Sequence, residues 1–415
     1  MSLSRRTFVA GLAAAAVAPS RLAAATSTTP VPRSGAAPGA PPAPLRMADR
    51  FDPWVEVEAS AVLDNAATLA RLAGGRPILA VVKNNAYGLG YANAVRILEG
   101  SPHVEGFAVV KTAEAHILKD TGTTKPILLM ALYEEADGAE LVRRDVALAP
   151  CTDDGIRRAI RAARTAGREA RIHFYVDTGL GRMGVPAHRA LPWMSEAVGA
   201  PELRVEGTFM TFTEDDEFDR EQLRRFRELA AAATARGVPV GRLHAASSHS
   251  VFNRPDGHLD LLRPGISLFG AYPTDDGRER SIAELRCALR LRARVVRVEH
   301  VRAGDSVGYG RRWVAQRPTW TATIPVGHTD GWPRQAVDGA RILIGSRLYP
   351  VIGAVSASHC IVEVGEDATV SVGDVATLLG PDDAAILPNA LAMATGTSVY
   401  DRLMHLNPLI PRIVV

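Results

Sequence analysis

A chain of 415 residues, 47 % hydrophobic and 22 % charged, is long enough for two domains, each with a full apolar core. Its 48 basic and 45 acidic side chains nearly balance and no basic stripe interleaves with aromatics, so nucleic acid is excluded and a small-molecule partner is expected. The three cysteines, Cys151, Cys287 and Cys360, stand too far apart for a zinc site or a small disulfide scaffold, and no His, Cys or carboxylate cluster suggests a metal.

At the N-terminus, Ser4-Arg5-Arg6-Thr7-Phe8 precedes an apolar run from Val9 to Ala18 and the small residues Ala23-Ala24-Ala25. The run is shorter than the roughly 20 residues of a membrane span. The pattern resembles a twin-arginine export signal, cleaved near Ala25, with an uncleaved anchor or a chance arginine pair as the alternative. Export of a folded protein to the periplasm is therefore expected, with no membrane association after cleavage. An oxidising compartment leaves a disulfide open, although free buried thiols are the expectation. Residues 26–50, rich in Pro, Ala, Gly and Ser, read as a disordered tether.

From Phe51 short β-branched runs alternate with amphipathic helical stretches. Ile78 to Val82, Phe107 to Val110, Pro126 to Leu132, Ala147 to Ala149, Ile172 to Val176, Val205 to Thr211, Arg242 to Ala245 and Leu268 to Tyr272 read as buried strands. Ala61 to Leu72, Ile156 to Thr165 and Arg220 to Arg236 read as helices between them. Eight such units in about 230 residues match an α/β fold of the (β/α)8 TIM-barrel type, and no dinucleotide glycine fingerprint follows the first strand. From Leu285 long β-patterned segments take over: Leu289 to Val301, Thr319 to Val326, Ile342 to Val355 and Ala368 to Leu379. The expected division is a signal at 1–25, a linker at 26–50, a barrel at 51–284 and a mainly-β domain at 285–415.

The first barrel strand runs into Lys83-Asn84-Asn85-Ala86-Tyr87-Gly88-Leu89-Gly90. A lysine at the C-terminal end of a barrel strand stands where barrel enzymes keep their active sites, and when desolvated it can lose its proton and bond a carbonyl group. A lysine alone is more often a surface or salt-bridged residue. Further on come Asp177-Thr178-Gly179-Leu180-Gly181-Arg182-Met183-Gly184, Leu243-His244-Ala245-Ala246-Ser247-Ser248, Arg263-Pro264-Gly265-Ile266-Ser267-Leu268-Phe269-Gly270 and Gly304-Asp305-Ser306-Val307-Gly308-Tyr309-Gly310. Each is unremarkable in isolation: a glycine-rich turn with an arginine is usually a turn, and a tyrosine between glycines usually packs in one.

Their order along the chain, from about Asp52 to Arg412, resembles the alanine racemase family, whose lysine motif reads Lys, two residues, Ala-Tyr-Gly, one residue, Gly. The resemblance implies a pyridoxal 5'-phosphate enzyme interconverting L- and D-amino acids, with Lys83 holding the cofactor and Tyr309 as the second acid/base. It implies that Ser248, the amides of Gly265 and Ile266, and the hydroxyls of Tyr87 and Tyr400 hold the phosphate, and that Arg182 meets both the cofactor's phenolic oxygen and the substrate carboxylate. Arg263 falls at the pyridine nitrogen. A guanidinium cannot accept a hydrogen bond, so that nitrogen stays unprotonated and the ring is a weaker electron sink, which favours rapid proton return over transamination. Racemisation needs an acid/base on each face of Cα. In this family the tyrosine comes from the partner subunit, so a homodimer with shared sites is implied.

Four places depart from the family pattern. Tyr175 stands where many members carry a carbamylated lysine, Thr211 replaces a histidine beneath the pyridine ring, His328 replaces an entrance tyrosine, and Ser356-Ala357-Ser358-His359 replaces Cys-Met-Asp-Gln at the substrate. Loss of the carbamate and the imidazole is expected to cost about one to three kcal/mol of transition-state stabilisation. Ala357 and Ser358 widen the mouth, so a substrate range beyond alanine, toward basic or polar amino acids, is expected. His173, His249 and His359 are read as structural. The competing readings are a decarboxylase of the same fold type, which the Arg263 and Tyr309 motifs disfavour, and a non-catalytic homologue binding amino acids or peptidoglycan fragments.

Overall fold

The computed structural model describes residues 49–415, so the export signal and nearly all of the tether lie outside the described residues. The described chain belongs to one compact unit. Seven parallel strands follow one another in sequence order: Ile78–Val81, Val104–Val109, Ile127–Leu129, Val146–Leu148, Ala170–Asp177, Leu203–Phe209 and Arg242–His244. Helices cross back between them, among them Ala59–Leu72, Gly155–Ala166 and Asp216–Ala235. The last is set by its ends and its stripe. Asp215 caps the Phe218 amide at 2.8 Å and three further acids occupy the first turn, while Leu223, Phe226, Ala230 and Ala233 recur on the buried face.

The eighth barrel position lies earlier than the sequence suggests. Residues 260–264 pair on one side with the Arg242–His244 strand, through Asp260 N–H to the Leu243 carbonyl and Arg263 N–H to that of Ala246. On the other side Leu79 and Val81 donate to the Leu262 and Pro264 carbonyls, and the ring closes onto the first strand. The expected strand Leu268 to Tyr272 is instead the short 3-10 turn Ile266–Phe269 followed by a loop. A short apolar run, buried either way, reads the same as strand or helix, and here Gly265 turns the chain before the run begins.

The second sheet has nine strands, in the order Arg297–Val301, Thr319–Ile324, Cys360–Gly365, Arg347–Ile352, Arg341–Ile344, Val375–Leu379, Leu289–Arg294, Trp54–Val57 and Arg412–Val414. Trp54–Val57 corrects the expected barrel boundary at residue 51, because this strand pairs antiparallel with Leu289–Arg294 and parallel with Arg412–Val414. Its pairing is reinforced by Glu56 with Arg292 at 2.9 Å and Glu58 with Arg290 at 3.3 Å. The β segment thus clamps both ends of the barrel chain. All three cysteines are buried and free, as expected. Among the described residues, no helix is long and apolar enough to cross a membrane, and no group of three or more His, Cys, Asp or Glu is placed to hold a metal ion.

Candidate active site

The strand Ile78–Val81 is wholly buried, and it delivers Lys83 to the C-terminal end of the barrel. The chain then does something costly. Asn84, Asn85, Ala86 and Tyr87 all take positive φ, between 50° and 57°, a left-handed turn without a glycine until Gly88. Each such residue costs on the order of 1–2 kcal/mol, so the surroundings must impose the shape. Glu114 does so. Its buried carboxylate accepts from the Asn84 amide at 2.8 Å, the Tyr91 hydroxyl at 3.0 Å and the Val110 amide at 3.1 Å. Burial, and then the Arg182 charge, lower the Lys83 pKa against the opposing pull of Glu114.

Lys83 opens into a cavity of about 330 Å³ whose lining includes Tyr87, Arg182, Ser248, Arg263, Gly265 and Tyr400, so the sequence-predicted residues converge from across the barrel. At one end Ser248 Oγ accepts from the amides of Gly265 at 3.0 Å and Ser267 at 3.3 Å. The Gly265 amide is thus already engaged by Ser248, while Ile266 opens the buried turn beside it. A side chain at Gly265 would put its Cβ 2.2 Å from the Tyr87 hydroxyl, so only glycine leaves room there. The Tyr87 ring lies against Phe269 and Tyr400, with centroids 5.6 and 6.4 Å away, and burial raises the pKa of both phenols, so they stay protonated donors.

At the other end Arg263 is buried, with Nη1 2.9 Å from His244 Nδ1 and Nη2 donating to the carbonyls of Met210 at 2.7 Å and Ala245 at 3.3 Å. Its Cζ lies 5.0 Å from the centroid of the Phe209 ring. Burial brings its pKa down to about 10, still well above neutrality, so it is a cation and only a donor. Hydroxyl and amide donors at one end, a fixed cation at the other and a lysine of lowered pKa between them suit a flat, phosphorylated, carbonyl-bearing group such as pyridoxal phosphate.

The departures are visible in the same cavity. Tyr175 stacks on Phe209 with centroids 4.2 Å apart, and its hydroxyl lies 3.3 Å from Thr211 Oγ1. Two hydroxyls stand there, and Arg182 is exposed at the rim, with no carboxylate bonded to it among the described residues. The lining carboxylate is Glu214, which the sequence reading did not single out. Glu114 was missed as well. Its signal was position, since it sits in the first turn after a strand end, where barrel sites face. His173, expected to be structural, lies one imidazole away from Arg263 through His244. His249 is buried and His359 is exposed, and neither lines this cavity.

Tyr309 is elsewhere. It stands 76 % exposed on the turn Tyr309–Arg311 and lines a different cavity, of about 420 Å³, with His328, Arg312, Arg334 and Ala357. His328 Nε2 accepts from Arg334 at 2.9 Å, and Ser358 bonds His359 Nδ1 at 3.0 Å. The predicted residues therefore form two groups in one chain: those around Lys83, and Tyr309 with His328 and the 356–359 loop.

Residues 57–273 match the family model "Alanine racemase, N-terminal domain" and residues 288–414 the model "Alanine racemase, C-terminal domain". The chain belongs to the alanine racemase family. Its relatives include the alanine racemase of Syntrophobacter fumaroxidans, 34 % identical over 84 % of this chain and 93 % of that one. The alanine racemase of Chlorobaculum tepidum is 32 % identical over 81 % and 88 %. Among solved structures, the alanine racemase of D-cycloserine-producing Streptomyces lavendulae superposes with a TM-score of 0.81 at 28 % identity, covering 88 % of this chain and 97 % of that one. The Bacillus anthracis alanine racemase, solved with bound L-Ala-P, gives 0.80 at 26 % identity, over 90 % and 96 %. The barrel and β-sheet architecture is that of this isomerase family, and the match runs through both parts.

Proposed function

We propose that the protein is a pyridoxal-phosphate-dependent amino-acid racemase, exported by its twin-arginine signal and working as a homodimer with shared sites. The observation that carries this reading is the convergence of Lys83 and Arg263 in one cavity whose far end is lined by the protonated hydroxyls of Tyr87 and Tyr400 and by Ser248. When bound, the cofactor draws electrons from the substrate's Cα–H bond and so acidifies it. Lys83, whose pKa is lowered by burial and by Arg182, would hold the cofactor and take or return the proton on one face of Cα. Tyr309 of the partner subunit serves the other face, which explains why this chain leaves its own Tyr309 exposed. Arg182, without a carboxylate partner, takes the substrate carboxylate. Arg263, a donor only, would face the ring nitrogen and leave it unprotonated.

The substrate range extends beyond alanine to larger polar or basic side chains. Ala357 is exposed beside Tyr309, where the family pattern has a methionine, and Ser358 puts a neutral hydroxyl in place of a carboxylate. The test is an assay of α-deuterium loss and change of chirality across a panel of L-amino acids on the mature protein, with Lys83→Ala as control. Exchange that disappears in the control supports the racemase, and activity on lysine or arginine at or above that on alanine supports the wider range. A yellow protein that exchanges no amino acid would overturn the catalytic reading, and activity confined to alanine would overturn the range.

A further inference from the structure

Behind Arg263 runs a row of buried groups longer than a single contact. His244 Nε2 lies 2.9 Å from His173 Nδ1, and His173 Nε2 lies 3.8 Å from Glu206 Oε2. Glu206 is itself gripped by Arg171 at 2.8 Å and Arg204 at 3.0 Å, and Arg171 reaches on to Asp145 at 3.1 Å. His244 is 0 % exposed and His173 4 %.

Every proton in this row is dictated from the Arg263 end. A guanidinium only donates, so His244 Nδ1 accepts and the His244 proton sits on Nε2. That N–H points at His173 Nδ1, which must accept in turn, leaving the His173 proton on Nε2 on the side of Glu206. A second proton on either ring would set two hydrogens against each other across a 2.9 Å gap. Burial lowers the pKa of both imidazoles, in the same direction as the geometry. The row is therefore neutral in the middle, with a cation at the cavity end and a carboxylate at the other.

The seat of His173 is itself built. Gly207, in the neighbouring strand, could not carry a side chain: its Cβ would fall 2.4 Å from His173 Nδ1 and 2.8 Å from the Arg242 carbonyl oxygen. Its φ is not positive, so the glycine serves space rather than backbone shape. Arg263, meanwhile, pairs with no carboxylate of its own among the described residues, and its bonds go to an imidazole and two carbonyls.

We propose that His173 and Glu206 are positioning residues for Arg263, anchoring the Nε2–H that the guanidinium leaves on His244 and placing a counter-charge two imidazoles away from the cavity. A carboxylate in direct contact would neutralise the cation and compete for its donors, whereas this row orients the guanidinium while leaving its charge facing the cavity. Arg263's effect on the cofactor ring rests on the function proposed above, but the tautomer order does not.

The experiment is long-range nitrogen–proton correlation on the holoenzyme labelled with 15N-histidine, in wild type, His173→Asn and His173→Leu, alongside titration with pyridoxal phosphate. In wild type both rings are expected to be neutral with the proton on Nε2. Asparagine keeps an acceptor in the place of Nδ1, so His173→Asn should retain the hydrogen-bonded downfield shift of the His244 Nε2–H and bind the cofactor nearly as well as wild type. Leucine removes that acceptor, so His173→Leu should lose that shift while keeping the tautomer, and bind about tenfold more weakly. A wild-type His244 that carries its proton on Nδ1, or that is an imidazolium, would overturn the proposal even if neither variant folds. So would Leu and Asn variants that match each other in both the His244 Nε2–H shift and affinity, because His173 would then only fill space. Wild-type tautomers as stated, in a protein that takes up no pyridoxal phosphate, would support the row and overturn the function instead.

Discussion

The cavity around Lys83 and the surface around Tyr309 are finished to different degrees. In the first, the chain spends strain on a left-handed turn, satisfies it with the buried Glu114, and backs Arg263 with two ordered imidazoles. In the second, an aromatic side chain stands 76 % exposed on a glycine-flanked turn beside Arg312, Arg334 and His328. A phenol that served its own chain would be expected to pack, as Tyr87 and Tyr400 do. One left bare on a turn between the short strands Ser306–Val307 and Trp313–Val314 fits the proposed role at a surface outside the chain. On the proposed function, the contrast divides the site into a binding half complete in one polypeptide and an acid/base half completed by a second.

The largest expected effect lies in the finished half. Lys83→Ala should lower kcat/KM by about 10⁴-fold or more and abolish the yellow absorbance of lysine-bound pyridoxal phosphate, checked by circular-dichroism racemisation assays and absorption spectra. Retained exchange in that variant would break the division between the halves. Glu206 sharpens it next. Although burial alone would raise the pKa of this carboxyl, His173 and Arg171 outweigh it and hold it at about 2, below the ordinary glutamate value of about 4.5. Its contribution, about 2 kcal/mol after allowance for partial exposure, is therefore fully present above pH 4.5 and lost as pH falls toward 2. Urea titrations at pH 7 and pH 3 should show a smaller difference for Glu206→Gln than for wild type.

Glu114→Gln comes third. It takes the charge from the acceptor of all three donors and sets an NH2 group against at least one of them, and should cost about 1–2 kcal/mol in stability, with the turn at Asn84 to Tyr87 showing faster amide exchange than the rest of the barrel. Uniform exchange across the barrel would show that the turn holds its own shape. Tyr175→Phe should do least. Its hydroxyl makes one long bond, 3.3 Å to Thr211, so a change in kcat/KM of less than about fivefold is expected in steady-state assays.

Much of this was legible in the sequence, for physical reasons that differ from place to place. The barrel strands announced themselves because both faces are buried, as in Ile78–Val81, and their runs are continuously apolar. The run at Leu268 was as apolar but folds as a 3-10 turn, because the closing strand had already ended at Pro264 and Gly265. Trp54–Val57 read as the start of the barrel, since strand partners far apart in sequence leave no local mark. Lys83, Arg263 and Ser248 were found through motif order. Glu114, His173 and Glu206 act through contacts that span 30 to 71 residues and join groups with no motif of their own, and only the folded barrel brings them together.

The central claim is that one working site takes Lys83 from one chain and Tyr309 from another. Lys83→Ala and Tyr309→Phe, each nearly inactive alone, should be unfolded together, refolded with cofactor and assayed as a mixture. Random pairing yields hybrids that carry one doubly altered site and one intact site, so about a quarter of wild-type activity should return. A mixture no more active than either variant, with subunit exchange verified by mass spectrometry, would contradict the shared site and return Tyr309 to the surface of its own chain.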